Sequence, residues 1–98
     1  MTKYYECHVT MEGNPVDIKP DVEALKWKFS AIDGDPTLGD GIKCYATRHF
    51  NYKIPESLVL STLQMVADSL ESTHKVTRRK IELVLFDSRV DTVGELSL

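Results

Sequence analysis

The chain has no surplus of positive charge. Twelve Lys plus Arg stand against fifteen Asp plus Glu, a formal net charge of −3. That excludes the whole-surface basic footprint with which a domain grips duplex DNA. Cysteine is scarce: Cys7 and Cys44 are the only two, too few for a disulfide framework, and reduced thiols in the cytoplasm are the expectation. No apolar run approaches the ~18 residues that span a bilayer. The opening residues Met1-Thr2-Lys3-Tyr4-Tyr5-Glu6 enter a strand-like pattern without an apolar leader, so neither a membrane nor secretion is expected. Glycine and proline are not gathered into a linker, and no repeat or low-complexity tract divides the chain. What is present is 42% hydrophobic and 28% charged residues in a chain of 98. That is the composition of one soluble globular domain, large enough to bury a core without staples.

Hydropathy periods divide the chain into six elements. From Tyr4 to Met11, Tyr5, Cys7, Val9 and Met11 alternate with Tyr4, Glu6, His8 and Thr10, the period of a half-buried strand. Glu12-Gly13-Asn14-Pro15 breaks it. A short helix is expected to open near Pro20, with Ile18, Val22 and Leu25 as its apolar stripe. Trp27 to Ile32 reads as a strand, Asp33 to Gly41 as a turn-rich hairpin loop, and Ile42 to Phe50 as the returning strand. Pro55 opens the main helix, in which Val59, Leu63, Val66, Ala67 and Leu70 recur at helical spacing. Val76 to Phe86 is the last strand. The domain is therefore expected over residues 1–87, and 88–98 should be a loosely structured tail.

This β-α-β-β-α-β order predicts an α+β, ferredoxin-like sandwich: a four-stranded antiparallel sheet with two helices on one face. The first and third strands are then central neighbours. If Cys7, Val9 and Met11 face the helices, His8 and Thr10 face away, and the same parity puts Tyr45, Thr47 and His49 on the uncovered side. An assumed register opposes His8 to His49 and Thr10 to Thr47, with Tyr4, Tyr45 and Lys43 at the patch margin. Paired imidazoles suit proton acceptance and donation near neutral pH, and hydroxyls suit phosphoryl or carbonyl oxygens. His8 and His49 are thus the candidate catalytic pair. Thr10, Thr47, Tyr45, Lys43 and Arg48 are the candidate ligand contacts, although Arg48 has the wrong parity and needs a bulge or detour to arrive. No metal or cofactor is expected, because Glu6 is the one further ligand that patch could offer.

His8-Val9-Thr10-Met11 resembles one copy of the His-x-Thr-x motif of the two-histidine phosphoesterases, which cleave or open cyclic phosphates and 2′,5′ or 3′,5′ linkages between two related lobes. The resemblance implies that His8 is a general acid or base and that Thr10 binds phosphate. This chain has about half the usual length of that family, and Thr47-Arg48-His49 is a reversed element. A symmetric homodimer would supply a second His8-Thr10 pair. Lys43-Cys44-Tyr45-Ala46-Thr47-Arg48-His49-Phe50 is similar to the third-strand signature of RNA-recognition motifs, which implies that Tyr45 stacks on a base; Thr47 stands where that family has its second stacking aromatic. As a whole the chain resembles small bacterial or phage proteins. The leading expectation is binding, with cleavage as an extension, of a phosphate-bearing nucleotide or RNA end. A cleaving enzyme would be a phosphodiesterase or cyclic phosphodiesterase. The competing reading is a non-catalytic module whose open face is a homodimer or protein interface, and single-stranded RNA binding is the third.

Other features have plainer readings. Arg78-Arg79-Lys80 with Lys75 is expected to be solvated charge on an edge strand. Asp33, Asp35 and Asp40 are turn formers. Cys7 and Cys44 should be buried and close, Trp27 should be core, and His74 should sit favourably at a helix C-terminus. Val84 and Phe86 fall on the uncovered face, where exposed apolar groups would favour a covering partner.

Overall fold

A computed structural model describes residues 3–33, 41–86 and 89–96, with backbone alone for 86 and 89–96. The elements run β1 (Tyr4–Glu12), α1 (Pro15–Ala24), β2 (Lys28–Ile32), β3 (Lys43–Asn51), α2 (Glu56–Glu71), β4 (Lys75–Phe86) and β5 (Arg89–Leu96). The strand order is β2-β3-β1-β4-β5, and every neighbouring pair is antiparallel. The first four strands and two helices form the expected ferredoxin-like α+β sandwich.

Two local expectations change. Residues 89–96, read as a loose tail, form β5 and pair with β4. Asp91, Thr92, Gly94 and Glu95 give that segment no apolar alternation, so backbone pairing is what makes it a strand. Helix α1 starts earlier than expected, at Pro15. The Asn14 side chain accepts the Val16 N–H at 3.0 Å, and Pro15 takes the first turn, where a missing N–H costs nothing. Pro20 lies inside the helix instead. Of the expected loop over 33–41, positions 34–40 lie outside the described residues, and with them Asp35 and Asp40.

The core lies between the helices and one sheet face. Val9, Met11 and Ala46 from the sheet meet Ile18 and Val22 of α1 and Val59, Leu63 and Leu70 of α2, all at most 2% exposed. Trp27 belongs to it, its ring edge-on to Phe50 at 6.4 Å. Cys7 and Cys44 are both buried and free, but they are not paired neighbours: Cys7 stands opposite Arg48 and Cys44 opposite Met11. Burial pushes the Cys7 thiol up to about 12, Arg48 opposing and Glu6 reinforcing that rise, and burial also raises Cys44. Thiols so placed are packing groups.

The Arg78-Arg79-Lys80 run is not on an edge, since β5 flanks β4. Its middle member points under α2. Arg79 is 8% exposed and donates to Asp68 at 2.8 Å and to Glu71, so it reaches from β4 to α2. His74 also ties elements together, its Nε2 lying 2.6 Å from Asp21 of α1. Both residues join separate elements, a role that their charge alone did not reveal.

Candidate functional site

The helices cover one side of the sheet, so parity delivers Glu6, His8 and Thr10 of β1 to the other, with Tyr45, Thr47 and His49 of β3 beside them. The register differs from the assumed one by two residues. His8 opposes Thr47, Glu6 opposes His49, and Thr10 opposes Tyr45. A shift of two keeps every side chain on its face, so both imidazoles still emerge together on the bare side. On the other flank of β1, Glu6 faces Glu82, and His8 faces Lys80. A central row across the sheet therefore reads Lys28, Thr47, His8, Lys80, with the two carboxylates in the next row.

His8 is held at both ring nitrogens. Its Nδ1 lies 3.2 Å from the Thr47 hydroxyl, while Nε2 lies 3.1 Å from Glu6 and 3.3 Å from Glu82. Two carboxylates converging on one nitrogen require the N–H to be there. Lys80 brings its ammonium to 3.4 Å from the same Glu82 oxygen. Without those donors, carboxylates directly opposed across two strands would repel each other. The other Glu6 oxygen is 3.7 Å from His49 Nε2. His49 stacks on Tyr4, with ring centroids 4.6 Å apart, and is the more open imidazole, 57% exposed against 24% for His8. Glu6 thus joins the two histidines in a chain: Thr47, His8, Glu6, His49.

That chain lines an open groove of about 580 Å³, which Tyr45 and Lys28 also border. A smaller hollow of about 190 Å³ adjoins it between Tyr45 and Arg78. Among the candidate residues, the structure brings His8, His49, Thr47 and Tyr45 together. Thr10 lines the smaller hollow but is only 8% exposed, flanked in register by Tyr45 and Arg78, so little of it meets a ligand. Lys43 opposes Glu12 at the far end of the strand, about 13 Å along β3 from Thr47. Arg48 keeps its helix-side parity, its guanidinium 4.8 Å from the Phe50 ring centroid. Val84, expected as an exposed apolar group on this face, is 4% exposed and gives no opening for a partner. The Phe86 side chain lies outside the described residues.

Glu6 and Glu82 were not among the candidate ligand contacts, though both carry open-face parity. What the pattern of residues lacked was the register that sets them opposite one another around His8. Among the described residues, no three His, Cys, Asp or Glu side chains are placed to hold a metal ion. No described helix is long and apolar enough to cross a membrane.

Fold and groove together define a ferredoxin-like α+β domain whose polar site lies on the helix-free face. No protein-family model matches the chain. No curated protein matches it. Among solved structures it is similar to a phage SAM lyase in its apo state, at 12% identity and a TM-score of 0.49, over 94% of this chain and 88% of that one. So distant a likeness has no bearing on the site.

Proposed function

We propose that the open face binds a phosphate-bearing nucleotide or RNA end, with Tyr45 and His49 as the accessible rings and His8 as the residue that fixes the groove floor. The observation that carries this reading is the chain of polar contacts from Thr47, hydrogen-bonded to His8, through Glu6 to His49, set along a groove on a rigid sheet. Polar groups fixed in this way, beside aromatic surface, are what small-ligand sites use for orientation. The carboxylates sharpen the assignment. A phosphate is repelled by Glu6 and Glu82, so the end of the ligand near His8 is its hydrogen-bond-donating part, such as a base amino group or a ribose hydroxyl. Both nitrogens of His8 are engaged, so proton transfer, where cleavage accompanies binding, falls to His49 with Glu6 orienting its ring.

The test is adenosine 5′-monophosphate binding followed by calorimetry. Base stacking on a tyrosine contributes about 1–3 kcal/mol, so Tyr45→Ala should weaken binding roughly tenfold, while Tyr52→Ala, outside the groove, should not. Equal affinities in all three proteins would overturn the reading. One observation favours a second reading: Ile32, on β2 beside the groove, is 61% exposed, as a face used between copies of the chain would have it. Dimer formation lost on Ile32→Lys, with no nucleotide bound, would support that alternative.

A further inference from the structure

We infer that a notch at the start of β2 is a phosphate seat, formed by Lys26, Lys28, Arg48 and His49, and that it selects a terminal, dianionic phosphate over a cyclic one. Strand β2 begins at Lys28, which pairs with Thr47. Among the described residues no strand pairs with β3 beyond that point on this side, and a hollow of about 270 Å³ opens against Arg48 and His49. Lys26, Lys28, Thr47, Arg48 and His49 line it, so among the described residues no carboxylate borders it. Among the described residues no carboxylate pairs with Lys26, Lys28 or Arg48. Lys28, Thr47 and His49 also border the large groove, so the two spaces are neighbours. Negative charge repelled from Glu6 and Glu82 has a basic pocket within the same ligand's reach.

The backbone supplies an independent observation. Helix α1 ends in a Schellman motif: the Lys26 N–H donates to Glu23 at 3.0 Å and the Trp27 N–H to Val22 at 3.3 Å. Lys26 holds the left-handed position of that motif, with φ at +65°. Glycine is the usual occupant, because a Cβ is disfavoured there. Here a strained lysine occupies it, and its side chain lines the notch. Three cations around one hollow reward the second charge of a phosphomonoester, which a cyclic diester lacks.

The inference rests on the open-face reading for the rest of the ligand, but the seat itself can be tested with inorganic phosphate. Amide spectra of the full chain at low salt should show phosphate shifting Lys26 to Lys28 and Thr47 to His49. Arg48→Gln and Lys26→Gly should each weaken that binding about threefold, and Lys26→Gly should at the same time raise Tm by about 4 °C. Adenosine 5′-monophosphate should bind severalfold more tightly than its 3′,5′-cyclic form. No phosphate shifts at these amides, or affinities unmoved in both variants, would overturn the seat. Phosphate shifts at the notch, with nucleotide leaving Tyr45 and His8 unmoved, would keep the seat and remove the groove reading. Nucleotide shifts at Tyr45 and His8 that ignore Arg48→Gln would do the reverse.

Discussion

His8→Ala should destabilise the domain by about 2 kcal/mol at neutral pH, and Glu82→Gln in the same chain should restore most of that loss. The expectation follows from three distances. His8 meets Thr47 at 3.2 Å, Glu6 at 3.1 Å and Glu82 at 3.3 Å, and leaving half-buried polar groups without their partner costs about 1–3 kcal/mol. Removing the ring leaves Glu6 and Glu82 opposed across β1 and β4, with their side chains only 26% and 16% exposed. Like charges so placed destabilise a strand pair. Neutralising Glu82 removes the repulsion, so the two substitutions should be strongly non-additive. Denaturant unfolding of the four proteins in this cycle measures it. A loss below about 0.5 kcal/mol in His8→Ala, the usual size for a surface change, or no recovery with Glu82→Gln, would mean that the ring does not bridge the carboxylates.

Arg79 should give the opposite lesson, with shape outweighing charge. Its side chain is 10% exposed, whereas its partners Asp68 and Glu71 are 69% and 52% exposed. Losing the guanidinium therefore strands no buried charge, because both carboxylates return to water. Its Nε is buried without a hydrogen-bond partner, a cost that an apolar side chain avoids. Arg79→Met should consequently lie within about 1 kcal/mol of the parent. Arg79→Ala, which empties the space under α2, should cost about 2–3 kcal/mol. Equal losses in the two variants would show that the ion pairs, and not the packed stem, hold the helix down.

These two residues also show where the sequence was legible. The faces of β1 and β3 followed from alternation alone, because Cys7, Val9 and Met11 against Glu6, His8 and Thr10 leave one parity for the core. That was enough to place His8, Thr47, His49 and Tyr45 on a common face. The register was not legible, since sliding β1 by two residues leaves the hydrophobic pattern unchanged. The carboxylate pair around His8 depends on that register, so it stayed hidden. Arg79 was read with its basic neighbours as solvent-facing charge. The clue was its parity, which matches Ile81, together with Asp68 and Glu71 three positions apart on α2. The start of α1 was legible by the same rule that misplaced it, because Asn14-Pro15 is as good a cap and first turn as any offered by Pro20. Strand β5 was not legible: an edge strand with acidic and small residues pairs through its backbone and needs no apolar face.

The claim on which the rest stands is that two imidazoles, joined through Glu6, form one ligand-responsive unit on the bare face of the sheet. The chain carries its own control, because the third histidine, His74, is bonded to Asp21 on the helical side. Imidazole nitrogen spectra recorded while adenosine 5′-monophosphate is added separate the three. His8 and His49 should shift along one saturation curve while His74 stays fixed. No shift at either ring, or the same drift in all three, would contradict it.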